Sequence, residues 1–359
     1  MKETCYLTSD LYPARLRLIG RHTKCAEGWT LDYSASGAVF ALRAETETAV
    51  DLTFTTFGEV DGGSVYFTVY LDGARLDERL FVEGAPDSKT IATRTVRACT
   101  VSAGEHVVRV VRQSNFWHGC TALVSLTTKA EVLAAPAPRA KTIEFIGDSL
   151  TCGYGVMPDA VSAPREVCGK SIYCDATQAH AFLAAEKLDA DAILCGYSGW
   201  GLLCGAAEEI ADSERARMLL TIPQIYPFAS HFRGTEPYIP KVIPDLIVVN
   251  LGSNDGSRRK LLALDAQKFK TAVQYFLYQL RIYYGREIPI VQAYGYDHRE
   301  LIPLIREAIA EAGGAEKGYY FCELPADNAG GNRHPSAAGQ ALGAEILADF
   351  IRANGLLGT

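Results

Sequence analysis

The fold is decided by residues 142–150, which read TIEFIGDSL. A short apolar run over 142–146 ends at a glycine and is followed by a polar segment, and this pattern predicts a buried strand that leads into a sharp turn. Further strands are predicted downstream at 191–197, 245–250, 287–293 and 318–323. Helices are predicted at 177–188, 265–283, 299–312 and 336–354. Because strands alternate with helices, we expect a parallel sheet covered on both faces, a three-layer α/β domain.

The sequence before residue 133 has a different periodicity. Apolar and polar residues alternate over 50–54 and 65–71, and this period of two indicates strands. Asp72-Gly73 predicts a hairpin turn between 65–71 and the apolar run 80–82. Other strands are predicted at 15–19, 31–43, 89–98, 106–112 and 120–127. No helix is expected among them, so we predict an all-β sandwich of the jelly-roll type.

A proline-containing segment separates these two patterns. Residues 132–141 include Pro136 and Pro138, each of which restricts its own φ and stiffens the chain. The length of 359 residues also favours two domains. We therefore predict a β-sandwich accessory domain at 1–133, a linker at 134–141 and an α/β domain at 142–359.

Composition excludes several classes of function. The formal charge of −7 and the absence of a basic run argue against a nucleic-acid partner. No apolar stretch reaches the ~18 residues that a membrane span needs. The ten cysteines are scattered without metal-ligand spacing, and the amino terminus lacks the apolar run of a secretory signal. We expect free thiols, a cytoplasmic location and no metal or cofactor. If a secretory signal preceded this sequence and was removed, the expected location is outside the cell. The oligomeric state is not predicted.

Polar residues follow the predicted strands at the edge where parallel sheets bind ligands. Ser149 comes directly after the first strand, where we expect it to be presented near a helix N-terminus. Gly199 follows the second strand and Asn254 the third, while His334 stands just before the last helix. Acyl transfer needs a hydroxyl nucleophile, a base of near-neutral pKa and donors for the developing oxyanion. Ser149 and His334 supply the first two.

Other hydrolase and nucleotide-binding motifs are missing from the sequence. It contains no Gly-x-Ser-x-Gly pentapeptide, no P-loop and no His-Glu-x-x-His. The order of Gly147-Asp148-Ser149, Gly199, Asn254 and His334 instead resembles the four conserved blocks of the SGNH (GDSL) hydrolases over residues 142–355. The resemblance implies that Ser149 is the nucleophile and His334 its general base. It also implies an oxyanion hole made by the backbone N–H groups of Ser149 and Gly199 and the side-chain amide of Asn254.

One departure from that pattern concerns the histidine. SGNH hydrolases usually carry an aspartate three residues before it, and here that position is Gly331. The nearest upstream acid, Asp327, is interpreted as a solvated loop carboxylate. We therefore predict a Ser149–His334 dyad. The ring N–H would be held by the backbone carbonyl of Gly331 or Asn332, or by the Asn332 side chain.

The departure and the accessory domain together narrow the resemblance. A β-domain before the α/β domain, the stretch GDSLTCGYG at 147–155 and the missing aspartate resemble carbohydrate esterase family 2. Membership would imply a serine esterase that removes O-acetyl groups from plant-type polysaccharides such as xylan and mannan, with acetylated carbohydrate as its partner. Candidate sugar-stacking rings are Trp200, Tyr294, Tyr296 and Tyr154, with a core position as the equal alternative for each. Trp117-His118 is interpreted as packing.

Two other functions stay open at this point. An SGNH lipase or lysophospholipase would use the same residues with an apolar cleft. A carbohydrate-binding protein whose esterase site has decayed would explain the missing aspartate. The retained Ser149, Asn254 and His334 favour a working enzyme.

Overall fold

Most of the regular secondary structure in the amino-terminal part of the computed structural model is β-strand. The structure describes residues 2–58, 60–87, 90–165, 167–205, 220–260 and 263–358. The strands of the first part are β1 Thr4–Leu7, β2 Arg17–Ile19, β3 Trp29–Thr30, β4 Gly37–Ala44, β5 Thr48–Phe57, β6 Val65–Leu71, β7 Ala74–Arg75, β8 Leu80–Val82, β9 Ala92–Val101, β10 Gly104–Arg112, β11 Cys120–Thr128 and β12 Glu131–Val132.

These strands form two antiparallel sheets. One has the order β1-β11-β5-β9, with β3 added to β11, and the other has the order β12-β4-β10-β6-β7, with β2 added to β4 and β8 to β6. The inward residues of both sheets share one core, in which the rings of Phe54 and Phe67 stack with centroids 4.9 Å apart. The predicted all-β sandwich of antiparallel sheets is therefore confirmed.

Three details of this part differ from the sequence-based expectation. Residues 31–36 are not a strand, because Ala35 adopts a left-handed φ of 58° and Ser36 N donates to Tyr33 O (3.0 Å) in a turn. A short helix, α1 Thr8–Leu11, is present where none was expected. The Asp72-Gly73 turn joins β6 to β7 rather than directly to β8, although β8 also pairs with β6. The predicted strand start at Lys89 lies outside the described residues.

The remainder of the chain is the predicted parallel sheet with helices. Its strands are β13 Lys141–Gly147, β14 Ala190–Gly196, β15 Leu246–Asn250, β16 Ile290–Tyr294 and β17 Tyr319–Glu323. Its helices are α2 His180–Lys187, α3 Ile222–Ile225, α4 Ser253–Ser257, α5 Ala266–Tyr284, α6 Ile302–Glu311 and α7 Ala337–Ala353. All paired strands run parallel in the order β14-β13-β15-β16-β17.

The alternating direction of the side chains along β13 explains why helices pack on both faces of the sheet. Ile146 belongs to the buried cluster that includes α5 and α6. Ile143 and Phe145 belong to the cluster on the opposite face, with α2 and α7. Side chains of consecutive strand residues point to opposite faces, so one apolar strand supplies both cores. None of the described helices has the length and apolar character that a membrane crossing requires.

The two parts share an interface that combines buried apolar contacts with ion pairs. Arg21, beyond the end of β2, forms a fully buried ion pair with Glu144 of β13 (3.1 Å). Among the described residues, four other ion pairs cross the same boundary, namely Arg17–Asp191, Arg75–Asp175, Arg109–Glu186 and Asp32–Arg233. Buried charges need partners of this kind, because isolated ones are costly to desolvate.

Candidate active site

Ser149 lies just beyond the carboxyl end of β13, where the chain turns away from the sheet. Cys152 N donates to Asp148 O (3.1 Å) and Tyr154 N donates to Ser149 O (3.1 Å). Residues 149–155 form successive turns and no α-helix begins there, so the expectation of a helix N-terminus at Ser149 is wrong. The serine is positioned by turn hydrogen bonds rather than by a helix.

His334 is brought to the serine from the far end of the sequence. Its Nε2 lies 2.8 Å from Ser149 Oγ. The histidine stands between a 3₁₀ turn, Gly331–Arg333, and α7, which is capped by Ser336 through a hydrogen bond from Gly339 N (3.0 Å). Asp327 accepts hydrogen bonds from Ser336 N (2.9 Å) and Oγ (3.0 Å). Asp327 is therefore not a solvated loop carboxylate: it anchors the cap beside His334.

The second ring nitrogen of His334 is held by backbone. Nδ1 lies 3.1 Å from the carbonyl oxygen of Asn332, one of the alternatives that the sequence left open. Asn332 reaches this orientation with a left-handed φ of 51°. Burial lowers the pKa of His334 below its ordinary 6.5, while the hydrogen bond to Asn332 and the negative charge of Asp297 act in the opposite direction. The neutral, proton-accepting form of the imidazole is thereby favoured.

The two other predicted site residues converge on the same sheet edge. Gly199 lies in the turn after β14 with φ of 91°, a conformation that side-chain-bearing residues rarely adopt. Asn254 lies in the first turn of α4, after β15. Its Nδ2 donates to Asp148 Oδ2 (3.1 Å) and to the carbonyl of Trp200 (2.9 Å). Both hydrogens of this amide therefore have acceptors within the protein, and donation to an oxyanion requires one of them to be shared.

Asp148 has a positioning role that sequence reasoning did not assign. Its fully buried carboxyl accepts from Leu150 N (3.0 Å) and from Asn254 Nδ2. Burial raises the pKa of Asp148 well above its usual range. The residue joins the turn of the nucleophile to the amide predicted for the oxyanion hole. Its place inside the Gly147-Asp148-Ser149 motif was the available signal.

Asp255 in α4 and Arg258, which follows this helix, hold the loop that contains Gly199. Buried Asp255 accepts from Leu202 N (2.9 Å) and Leu203 N (2.7 Å), and burial raises its pKa. Arg258 Nη1 donates to the carbonyl of Gly199 (3.0 Å). Sequence reasoning missed both residues, because their partners are backbone groups more than 50 positions away.

Most of the predicted sugar-stacking rings are buried. Trp200 is 3% exposed, Tyr294 1% and Tyr296 3%, and each belongs to a core cluster. A stacking platform needs an exposed ring face, so the structure contradicts that expectation for these three. Tyr154 is also largely buried, but its ring packs on His334 with centroids 4.3 Å apart. Within the described ranges, no group of His, Cys, Asp and Glu could hold a metal ion.

A hydroxyl and an imidazole within hydrogen-bond distance, at the carboxyl edge of a parallel sheet, form the arrangement used by serine hydrolases. The model of the GDSL-like Lipase/Acylhydrolase family matches residues 145–342, more than half of the 359-residue chain. The chain belongs to this family.

Curated relatives cover the chain to different extents. Cellulase/esterase CelE of Acetivibrio thermocellus is 27% identical over 306 residues, which are 81% of this chain and 34% of that protein. An acetylxylan esterase/glucomannan deacetylase of Cellvibrio japonicus is 30% identical over 44% of this chain and 41% of its own length. The chain thus spans less than half of the length of these two relatives.

Solved structures share the whole fold. An acetyl xylan esterase, Est2A, from the rumen bacterium Butyrivibrio proteoclasticus superposes with a TM-score of 0.82 at 20% identity, over 100% of both chains. A family two carbohydrate esterase from Cellvibrio japonicus gives a TM-score of 0.76 at 20% identity, over 98% of both. At these identities the likeness is one of fold, and it extends over the antiparallel sheets as well as the parallel one.

Proposed function

We propose that this protein is a serine esterase that removes O-acetyl groups from plant-type oligo- or polysaccharides such as acetylated xylan or mannan. The observation that carries the proposal is the 2.8 Å contact between Ser149 Oγ and His334 Nε2. Support for the substrate class comes from the relatives, whose names include acetylxylan esterase and glucomannan deacetylase. Family membership supports ester hydrolysis in general.

The first half of the reaction transfers the acetyl group to the enzyme. Ser149 Oγ attacks the acetyl carbonyl carbon while His334 Nε2 accepts the hydroxyl proton. The carbonyl oxygen becomes an oxyanion, for which the N–H groups of Ser149 and Gly199 and the amide of Asn254 are the proposed donors; one such donor is typically worth ~3 kcal/mol. Collapse of the intermediate breaks the C–O bond to the sugar, whose alkoxide takes the proton from His334.

The second half regenerates the serine. Water attacks the acetyl-serine carbonyl as His334 removes its proton, and collapse releases acetate while the proton returns to Ser149 Oγ. The backbone carbonyl of Asn332 keeps the histidine tautomer that has Nε2 free for these transfers. A carbonyl carries no net charge. The imidazolium is therefore stabilised by its hydrogen bond to this carbonyl and by the negative charge of Asp297.

Hydrolysis of p-nitrophenyl acetate tests whether the protein is an active serine esterase. We expect turnover by the wild type and a loss of at least about 10³-fold in kcat for Ser149→Ala, as expected when a nucleophile is removed. Ser162→Ala, at an exposed serine outside the site, is the matched control and should retain full activity. Absence of wild-type turnover, or an unchanged rate in Ser149→Ala, would favour a decayed, carbohydrate-binding protein.

The acyl and alcohol parts of the substrate are tested separately. We expect acetyl esters to be hydrolysed faster than octanoyl esters, and the reverse order would favour the lipase alternative. NMR spectra of an acetylated xylo- or manno-oligosaccharide during digestion should show loss of acetyl signals. Retention of every acetyl signal beside active p-nitrophenyl acetate turnover would overturn the carbohydrate assignment alone.

We further propose the division of the chain into a jelly-roll accessory domain at 1–133, a linker at 134–141 and a catalytic domain at 142–359. The two antiparallel sheets that end at Val132 and the parallel sheet that starts at Lys141 support these boundaries. Limited proteolysis followed by mass spectrometry should place the first cut between 132 and 141. A first cut inside either group of sheets would contradict the division.

A further inference from the structure

The amino-terminal part of the chain reaches the active site through the segment 167–175. Asp61 Oδ2 accepts from Ser171 N (2.8 Å) and Ser171 Oγ (3.0 Å). Arg79 donates to the carbonyls of Ile172 (2.8 Å) and Cys174 (3.1 Å). Asp61 and Arg79 both belong to the antiparallel part, so that part determines where this segment lies.

The segment is also held by the Trp117-His118 pair. His118 is fully buried, and its Nε2 lies 2.6 Å from the carbonyl oxygen of Gly169. Burial lowers the pKa of His118 to about 4, so the ring is neutral at physiological pH and donates one hydrogen bond without carrying a charge. This contact places Trp117, the preceding residue, beside Gly169.

Trp117 stands close to the ring that packs on the catalytic histidine. A methyl group built on Gly169 would lie 3.2 Å from the Tyr154 hydroxyl and 3.7 Å from Cη2 of Trp117. Trp117 packs against the cluster that contains Tyr154 and Cys168, and the Tyr154 ring in turn packs against His334 at an interplanar angle of 35°. The two aromatic side chains therefore face a common space at Gly169, one ring away from His334.

The exposed part of Trp117 is apolar. The residue is half-buried, yet its Nε1 is inaccessible to solvent. The accessible part of the side chain therefore consists of carbon atoms alone. An aromatic carbon surface suits the C–H face of a sugar ring or an acetyl methyl group, since both are apolar groups that gain from leaving water. Trp200, Tyr294 and Tyr296 are too buried to offer such a surface.

We propose that Trp117, backed by Gly169 and the largely buried Tyr154, forms a substrate-binding wall beside the dyad, so that the antiparallel part of the chain contributes directly to recognition of the acetylated sugar. This inference rests on the proposed esterase function and names a specificity-determining residue for it. Trp117 would contact the sugar, and His118 would position it through Gly169.

The test compares two substrates in two variants. For Trp117→Ala we expect KM for an acetylated xylo-oligosaccharide to rise about tenfold, with a smaller effect on p-nitrophenyl acetate, which has no sugar ring to stack. Gly169→Ala adds one methyl group between the two rings and should raise the same KM at least about threefold by narrowing the space. Tyr278→Ala removes a 63% exposed ring on α5 and should leave both substrates unchanged.

The results separate a failure of the Trp117 inference from a failure of the proposed esterase function. If Trp117→Ala lowers turnover of both substrates by the same factor, or leaves the oligosaccharide KM unchanged, the residue is structural and the inference is overturned. If Trp117→Ala does not fold, an unchanged KM in Gly169→Ala overturns it. If the wild type does not hydrolyse p-nitrophenyl acetate at all, the proposed function fails, and the inference fails with it.

Discussion

At the scale of single residues, the histidine without an aspartate partner is the feature that most distinguishes this site. A carbonyl oxygen at 3.1 Å orients Nδ1, which a carboxylate does in the usual triad. The carbonyl reaches that position because Asn332 and Arg333 adopt left-handed φ values of 51° and 60°. Two consecutive residues of this kind are sterically unfavourable, so the surrounding contacts must hold the turn.

Substitution of Asn332 tests whether its backbone, rather than its side chain, orients the imidazole. Asn332→Gly should retain kcat within about twofold, because glycine adopts positive φ freely and keeps the carbonyl. Asn332→Ala should lose about five- to tenfold, since the left-handed region costs alanine ~1–2 kcal/mol. Initial rates with p-nitrophenyl acetate measure both. Equal losses in the two variants would show that the side chain matters.

The acid limb of the pH–activity profile depends on the protonation of His334. The base must be neutral to accept a proton, and burial lowers the pKa of His334 below 6.5. The value of kcat/KM should therefore be at its maximum above pH 6.5. It should fall only as the pH drops through the lowered pKa of His334. Asp297→Asn removes a charge that raises this pKa and should move the limb to lower pH, whereas Asp349→Asn, at a 71% exposed side chain, should not. A wild-type midpoint above 6.5 would contradict the burial argument.

At the scale of elements, close approach of α7 to the strand ends controls the position of His334. Gly343 of α7 faces the Tyr296 hydroxyl, and a methyl group added there would lie 1.9 Å from that oxygen. Gln340, one turn earlier, donates to Leu150 O (2.8 Å) beside the nucleophile. The helix that follows the base is thus packed directly against the turn of the serine.

Gly343→Ala should destabilise the protein by about 1–3 kcal/mol, because overpacking forces neighbouring groups apart. Tyr296→Phe in the same chain should recover part of the loss by removing the clashing oxygen. Urea unfolding measures the free energy, and Leu342→Ala, at a 53% exposed position of the same helix, is the control. If the free energy of unfolding lost by the double variant equals the sum of the losses in the two single variants, the contact between Gly343 and Tyr296 is contradicted.

At the scale of the whole molecule, the antiparallel and parallel parts are joined by buried charge. Arg21 donates to Glu144 Oε1 (3.1 Å) and to the carbonyl of Tyr226 (2.6 Å), with its guanidinium 4.2 Å from the ring centroid of Tyr226. The hydroxyls of Tyr226 and Tyr284 donate to the other oxygen of Glu144 (2.7 and 2.6 Å). Since Glu144 lies on β13, the strand of the nucleophile, the interface is continuous with the catalytic sheet.

Arg21→Met should cost about 3–5 kcal/mol, because it leaves the Glu144 carboxylate buried without its cation. Arg43→Met, which removes exposed pairs with Glu105 and Glu131, should have little effect. Thermal unfolding should show one transition in the wild type, since separating the two parts would expose these charges and apolar surfaces. Two separate wild-type transitions would contradict a shared interface.

Much of the fold was predictable from local patterns. Alternation over 65–71 predicted β6, and the apolar run at 142–146 predicted β13, because side-chain period follows backbone geometry. The order of Ser149, Asn254 and His334 placed them at one sheet edge through the topology of parallel strands. Residues 31–36 and the turns after Ser149 were mispredicted, since their conformations depend on left-handed φ values and turn hydrogen bonds that propensity does not register.

The sequence by itself determined the fold class, the order of the site residues along the chain and the absence of an aspartate three positions before His334. These follow from periodicity and residue identity, which are local properties. Only the tertiary structure decided that Asn332 O holds the imidazole, that Asp148 binds the amide of Asn254, that three predicted stacking rings are buried and that Trp117 approaches Tyr154. Most of these depend on contacts between residues far apart in the chain, which only the folded core and the interface bring together. The Asn332 contact is local, but it depends on two left-handed φ values that the surrounding structure holds in place.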